Sequence, residues 1–167
     1  MKHMWTPWRM EYILQGRQAS CIFCEMLDFQ DDREALILYR GERSFMVLNK
    51  YPYTTGHLMV VPYRHLDTLE ALSPEEICDL TTTLTLSIRA LRASLKPEGV
   101  NIGANIGRVA GAGVESHFHA HVVPRWTGDT NFMPIAADVR VIPQALSETY
   151  DQVKLAIDAI SQAAIRE

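Results

Sequence analysis

Apolar residues along the chain form short runs that are separated by turn residues. Five such runs cover residues 35–39, 45–48, 58–61, 100–106 and 117–123. Runs of this length, bounded by residues such as Gly41 and Gly56, are typical of β-strands. The first three predict an antiparallel meander, and the last two predict further extended segments.

Helical signals occupy two longer segments. Ser73 is a predicted N-cap, Pro74 stands at the first helical position, and Glu76 completes a capping box. This helix is expected to run to about Lys96, with an apolar face at Ile77, Leu80, Leu84, Ile88 and Leu91. A final helix, capped by Ser147, carries Tyr150, Val153, Ile157 and Ile160 on one side. The pattern predicts an α+β fold, with helices packed against a mostly antiparallel sheet.

The length of 167 residues suits one hydrophobic core, and no repeat or Ser/Gly linker divides the chain. We expect three regions: an N-terminal arm at 1–20, a body at 21–135 and a C-terminal extension with its helix at 136–167. The arm contains Trp5 and Trp8, and burial of these rings would dock it on the body.

Charge and composition exclude several kinds of partner. The net charge is −4 and no run of Lys or Arg occurs, so neither a nucleic-acid polymer nor a membrane surface is expected to bind. The longest apolar runs are far shorter than the roughly 18 residues of a membrane span, and the N-terminus lacks the apolar stretch of a signal peptide. With an odd number of cysteines as well, the sequence predicts a cytoplasmic protein without a disulfide framework.

Histidines alternate with apolar residues in the segment 117–123. On a strand, His117, His119 and His121 project from one face, and Phe118 and Ala120 from the other. One interpretation is a polar sheet face without chemistry. A second is a metal ion bound by all three, but His117 and His121 would lie roughly 13 Å apart, whereas a Zn–N bond is about 2 Å. The third is a neutral imidazole nucleophile whose neighbours set its orientation and handle protons.

A glycine-rich stretch precedes these histidines, at Gly103, Gly107, Gly111 and Gly113. Backbone N–H groups in such a stretch can approach an anion closely and form the concave nest that phosphate oxygens need. A phosphate held there would lie within reach of the histidines, which favours the nucleophile interpretation. No magnesium motif is evident, and no organic cofactor is expected.

Cys21 and Cys24 form a C-x-x-C pair, while Cys78 stands alone in the predicted long helix, where we expect it to belong to the core. From the residues alone, the pair is a redox couple, half of a zinc site or two small buried residues.

The segment His117-Phe-His-Ala-His-Val-Val123 matches the His-φ-His-φ-His-φ-φ signature (φ hydrophobic) of the histidine-triad (HIT) family of nucleotide hydrolases and transferases. The resemblance extends from about Cys21 to Met133. Two segments after the histidines, 122–126 and 128–133, and the opening 4–9, resemble the branch that phosphorolyses diadenosine polyphosphates. The resemblance implies a homodimer whose sheet continues across the dimer interface, and it implies binding of purine nucleotides.

The resemblance also implies roles for single residues. His119 matches the nucleophile that attacks the α-phosphate, and His121 and His57 match residues that orient its imidazole and handle protons. Asn49 matches a ribose contact, and His117, the first histidine of the row, completes the catalytic candidates. The candidate phosphate contacts are Asn105, Gly107, Gly111 and Gly113.

Related proteins bind zinc through a C-x-x-C pair, a histidine after a strand-Pro segment and the first histidine of the row. The corresponding residues are Cys21, Cys24, His65 and His117, which implies a closed structural zinc site. The chain departs from the better-known branches at residues 112–116, Ala-Gly-Val-Glu-Ser, where those branches have Gly-Gln-Ser or Gly-Gln-Thr.

The resemblance thus predicts an enzyme that cleaves the α-phosphate linkage of diadenosine polyphosphates through a nucleotidyl-histidine, with inorganic phosphate as the final acceptor. The alternatives are a nucleoside phosphoramidate or dinucleotide hydrolase, a non-catalytic nucleotide sensor, and a zinc hydrolase.

Overall fold

The computed structural model of the protein describes residues 20–129 and 144–165. The strands are β1 (Ile37–Arg40), β2 (Ser44–Leu48), β3 (Leu58–Pro62), β4 (Gly99–Gly103) and β5 (Ala120–Arg125). The α-helices are α1 (Ile22–Met26), α2 (Pro74–Ser94) and α3 (Leu146–Ile165), and short 3₁₀ turns lie at Leu69–Ala71 and Arg108–Ala110. The predicted α+β class is confirmed.

The strands form one sheet in the order β1-β2-β3-β5-β4, and every neighbouring pair is antiparallel. The first three strands are the predicted meander, while β5 lies between β3 and β4. The register places His121 opposite Met59 of β3 and Gly103 of β4, so these three residues share one face of the sheet.

Both faces of the sheet are covered. On one face α2 and α3 pack on a core that includes Leu38, Met46, Leu58, Val60, Phe118, Ala120 and Val122. On the other face Phe23 of α1 packs with Ile37, Phe45, Val47, Met59 and Val61. Burial on two faces explains why the first three strands have continuous apolar sequences. The predicted face of α3 is confirmed, with Tyr150, Val153 and Ile157 buried.

The N-terminus of α2 has the predicted capping box. The Ser73 hydroxyl accepts from the Glu76 N–H, and the Glu76 carboxylate accepts from the Ser73 N–H at 2.7 Å. These two bonds satisfy donors that the first helical turn leaves unpaired.

The predicted face of α2 is confirmed for Leu80 and Leu91, which are buried, and for Leu84 and Ile88, which pack against the core, but not at the start of the helix. Ile77 is 43% exposed and Cys78 is also exposed, so the predictions that they lie in the core are wrong. Thr83 and Ser87 are buried instead; the Ser44 hydroxyl donates to Thr83 Oγ1 at 3.0 Å, and Ser87 donates to the Thr83 carbonyl. These hydrogen bonds offset the cost of burying the hydroxyl groups. Apolar periodicity does not detect such buried polar positions.

The histidine strand begins later than predicted, because β5 starts at Ala120 and His117 and His119 precede it. Pro62, at the end of β3, has no N–H to continue the ladder, and the Phe118 N–H donates to the Leu66 carbonyl instead. Phe118 still points into the helix-covered core, so the predicted alternation of faces holds.

Two further boundaries differ from the predictions. β4 ends at Gly103 rather than at residue 106, because its partner β5 begins one residue before the matching His121. Ser147 lies inside the first turn of α3 and does not cap it, since the Thr149 N–H already bonds the Ala145 carbonyl. Trp5, Trp8 and the phosphorylase-like segment beyond Asp129 lie outside the described residues. Within the described ranges, no helix is long and apolar enough to cross a membrane.

Candidate active site

His119 presents a buried imidazole in a defined tautomer. The side chain stands just before β5 and is 4% exposed, and its Nδ1 lies 2.9 Å from the His117 carbonyl oxygen. A carbonyl only accepts, so Nδ1 carries the proton of the neutral ring and Nε2 keeps the lone pair. Burial lowers the pKa of His119 below its ordinary value, which keeps the ring neutral near pH 7. The ring therefore has one nucleophilic nitrogen.

His57 and His121 form a hydrogen-bonded pair next to His119. The Tyr53 N–H donates to His57 Nδ1 at 3.1 Å, and the Asn49 amide lies 3.4 Å from the same nitrogen. The proton of neutral His57 is therefore on Nε2, which lies 2.9 Å from His121 Nδ1 and donates to it. It follows that His121 carries its proton on Nε2. The ring centroid of His121 is 4.9 Å from that of His119, so a hydrogen-bond donor lies beside the candidate nucleophile.

The glycine loop connects β4 to the histidines. The side-chain amide of Asn105 donates to the Gly111 carbonyl at 3.3 Å, which closes the loop around the 3₁₀ turn Arg108–Ala110. Gly107 and Gly111 flank that turn, and Gly113 follows in the same loop. The loop begins after Gly103, the β4 residue that pairs with His121, and it ends at His117. Both ends of the loop therefore lie next to the three alternating histidines.

Cys21, Cys24, His65 and His117 come together as a compact cluster whose ligand atoms all lie within 4.8 Å of one another. The Cys21 sulfur is 3.3 Å from His117 Nδ1, and the Cys24 sulfur is 3.4 Å from His65 Nδ1 and 3.6 Å from His117 Nδ1. Zinc bonds of about 2.0–2.3 Å place tetrahedral ligands about 3.3–3.8 Å apart. The cluster therefore fits a tetrahedral zinc ion.

Both ring nitrogens of His117 are engaged in or near this cluster. Nε2 donates to the Pro62 carbonyl at 2.9 Å, which leaves the lone pair on Nδ1, the nitrogen that faces the sulfurs. Burial, followed by the hydrogen bond to Cys21, raises the pKa of Cys24 to about 11. Zinc binds cysteine as the thiolate, so zinc binding at this cluster would displace the proton of Cys24.

Sequence reasoning missed three groups that act on the histidines: the Tyr53 N–H, the Pro62 carbonyl and the Phe23 ring. Phe23 lies inside the C-x-x-C pair, and its ring contacts His117 and His119. Its position between the two cysteines was the sequence feature that could have identified Phe23 as part of the site. The other two are backbone groups, and a backbone N–H or carbonyl has no signature in the sequence.

Gly56 lies in the turn that ends at His57, and its replacement by alanine is expected to destabilise the protein. The His57 N–H closes this turn on the Thr54 carbonyl, with Gly56 at φ +79°. An added Cβ would overlap Leu95 Cδ1 and lie 3.2 Å from Leu91 Cδ2. We expect Gly56→Ala to lose about 1–3 kcal/mol from overpacking, in addition to the strain of its positive φ. Chemical denaturation measures the loss.

Gly128→Ala is the matched control for this prediction. Gly128 occupies a similar turn, closed from the Asp129 N–H to the Trp126 carbonyl, with φ +81°. A Cβ there meets nothing within 4 Å, so this variant carries the strain without the overlap. Equal losses for Gly56→Ala and Gly128→Ala would contradict the predicted overlap.

Fold and site together define a class: α+β proteins in which a neutral, buried histidine lies beside a glycine loop on an antiparallel sheet. Residues 30–128 match the HIT domain family, and the chain belongs to this family.

Similar proteins and solved structures extend the similarity beyond the domain. The chain is 39% identical to a protein of Mycobacterium tuberculosis named AP-4-A phosphorylase, over 158 residues that cover 89% of this chain and 80% of the relative. A zinc-bound histidine triad family protein from Mycobacterium smegmatis superposes with a TM-score of 0.69 at 29% identity, covering 86% of this chain and 97% of that one. A hypothetical histidine triad nucleotide-binding protein from Sulfolobus tokodaii gives a TM-score of 0.67 at 26% identity, covering 84% of this chain and 93% of that one.

Proposed function

We propose that the protein is a nucleotidyltransferase that cleaves diadenosine polyphosphates at the α-phosphate and passes the adenylyl group to inorganic phosphate. The observation that carries the proposal is the tautomer of His119, whose bond to the His117 carbonyl directs a lone pair from Nε2. The relative named AP-4-A phosphorylase supports the choice of substrate.

In the first step, His119 Nε2 attacks the α-phosphorus of diadenosine tetraphosphate. A P–N bond forms, the bond from that phosphorus to the bridging oxygen breaks, and ATP leaves. An adenylyl-histidine remains, as in other reactions that a covalent intermediate divides into two easier steps. In the second step an oxygen of inorganic phosphate attacks the same phosphorus, the P–N bond breaks, and ADP is released.

His121 and His57 hold a hydrogen-bond donor for the leaving oxygen in this scheme. Neutral His121 carries its proton on Nε2, and His57 donates to its other nitrogen at 2.9 Å, which fixes that tautomer. The Nε2–H of His121 can therefore donate a hydrogen bond to the departing oxygen and stabilise the negative charge that develops there. His117 takes no part in proton transfer, because its two nitrogens face the cysteine sulfurs and the Pro62 carbonyl.

The glycine loop is assigned to the phosphates and Asn49 to the ribose. Backbone N–H groups of Gly107 and Gly113 stabilise the charge on the reacting phosphate, while the Gly111 N–H donates to the Arg108 carbonyl and, with the Asn105 amide, keeps the loop closed. The better-known branches of the family have side-chain donors just before the first of the three histidines. In this chain main-chain N–H groups take that role.

The cluster of Cys21, Cys24, His65 and His117 is assigned to a structural zinc ion. Bound zinc would supply fixed ligand geometry, tying the segment before β1 to the residues before β5. With four protein ligands it would keep no open position for substrate or water.

Product analysis tests the proposed function. The purified protein is incubated with diadenosine tetraphosphate, with and without inorganic phosphate, and the nucleotides are separated by anion exchange. We expect ADP plus ATP only when phosphate is present. AMP plus ATP without phosphate would identify a hydrolase instead, and no cleavage would favour the phosphoramidate hydrolase or the nucleotide sensor.

We also infer that two copies of the chain pair along β4. This strand lies at the end of the sheet in the described part of the chain, and Ile102 on it is 50% exposed. An open edge offers unpaired N–H and carbonyl groups to a second strand, which supports a sheet that continues into the partner. Sedimentation of the purified protein should give a dimer, and a monomer at all concentrations would overturn this inference.

A further inference from the structure

Phe23 lies between the metal cluster and the candidate nucleophile. It belongs to α1, inside the C-x-x-C pair, and is 1% exposed. Its ring centroid is 5.0 Å from that of His119 and 5.5 Å from that of His117. One of the two residues between the cysteines is thus in contact with the ring that would attack the substrate.

A second connection joins the same two sites through the main chain. His119 Nδ1 donates to the carbonyl of His117, and the ring of His117 faces both sulfurs of the cluster. The orientation of the His119 imidazole is therefore set by the backbone carbonyl of His117, a residue whose side chain belongs to the cluster. Phe23 packs against the ring of His119. The ring centroid of His121 lies 4.9 Å from that of His119, with an interplanar angle of 80°.

We propose that Phe23 is a positioning residue that makes the orientation of His119 depend on metal bound by Cys21, Cys24, His65 and His117. With the cysteines bound to a metal, α1 is fixed and Phe23 keeps His119 in the rotamer that donates to the His117 carbonyl. Without the metal, α1 is free to move, Phe23 withdraws and the imidazole rotates. The consequence for catalysis rests on the proposed function; the consequence for the orientation of the ring does not.

The chain offers a matched control for this role. Phe45 belongs to the same apolar cluster as Phe23, is 0% exposed, and stacks on Tyr63 at 5.6 Å. Phe23→Leu and Phe45→Leu therefore remove the same atoms from the same side of the sheet. In the structure Phe23 contacts the site imidazoles and Phe45 is in ring contact with Tyr63.

The first readout is the tautomer of His119, from long-range proton–nitrogen NMR spectra of the zinc-loaded proteins. The wild type and Phe45→Leu should give one set of signals with the proton on Nδ1. Phe23→Leu should give averaged signals from both tautomers while its zinc content stays at that of the wild type. A His119 spectrum in Phe23→Leu identical to that of Phe45→Leu would overturn the proposal.

The second readout separates kcat from KM with diadenosine tetraphosphate. We expect kcat of Phe23→Leu to fall about tenfold or more, because a small misplacement of a reacting group has this effect, with KM within about twofold. Phe45→Leu should lower thermal stability but leave kcat close to that of the wild type. If Phe23→Leu does not fold, Phe23→Met, which keeps the apolar volume without the ring, takes its place.

Metal removal completes the test on the wild-type protein. Dialysis against a chelator should change the His119 signals in the same way as Phe23→Leu, and added zinc should restore them. Unchanged signals in the metal-free, folded protein would overturn the coupling. If the wild type cleaves no nucleotide, the proposed function fails, while the NMR comparison still decides whether Phe23 positions His119.

Discussion

Replacing His119 by alanine is expected to reduce turnover of diadenosine tetraphosphate at least about 10⁴-fold, because the residue forms the covalent bond to the substrate. The buried imidazole, neutral and with its lone pair on Nε2, has no substitute at that position in the described part of the chain. Nucleotide affinity should stay close to that of the wild type, since the glycine loop and Asn49 are assigned to binding. Quenched-flow product analysis and calorimetry with AMP measure the two quantities.

Covalent labelling distinguishes this role from a supporting one. With substrate labelled at the α-phosphate, the wild type should carry an acid-labile adenylyl group, and His119→Ala should carry none. His121→Asn is the comparison, because it removes the adjacent imidazole but leaves His119 in place, and it should slow turnover about 10²–10³-fold while labelling persists. Labelled His119→Ala protein, or near-normal turnover, would rule out the mechanism.

Loss of the cysteine pair is the second change with a large expected effect. The variant Cys21→Ser/Cys24→Ser should be purified without zinc and should unfold at a lower temperature. A metal present at about a thousand times its Kd contributes about 4 kcal/mol to the folded state. In a domain of this size that corresponds to a decrease in Tm of about 8–16 °C. Elemental analysis and thermal unfolding, with and without a chelator, give both values.

Cys78→Ser controls for the loss of a thiol. Cys78 is exposed on α2 and takes no part in the four-residue cluster, so this variant should keep both zinc and Tm. A redox couple at Cys21 and Cys24 would behave differently, because Tm would then respond to a reducing agent and not to a chelator. Full zinc content in Cys21→Ser/Cys24→Ser would contradict the assigned ligands.

Local patterns account for the elements that were predicted correctly. The capping box of α2 depends on Ser73 and Glu76, which are near one another in the chain, so its signal is complete in the sequence. The meander and the alternation around His119 depend on the period of side chains along a strand, which is also local. These features needed no knowledge of what packs against them.

The errors fall where a distant partner decides the outcome. Apolar side chains predict burial of Ile77 and Cys78, yet both are exposed, whereas polar Thr83 is buried and hydrogen-bonded by Ser44 of β2. Likewise β5 begins only at Ala120, because the Phe118 N–H has a partner in the Leu66 carbonyl. Apolar periodicity measures hydrophobicity along one element and contains no information about such partners.

By itself the sequence determined the family signature, the α+β class and the set of histidines and cysteines from which both sites are built. Only the tertiary structure decided which nitrogen of each imidazole carries a proton, since the Pro62 carbonyl and the Tyr53 N–H impose the tautomers of His117 and His57. It also decided that Phe23 contacts His119. The physical reason is that hydrogen bonding and packing act between segments far apart in the chain, whereas sequence patterns report the chemistry and spacing of neighbours.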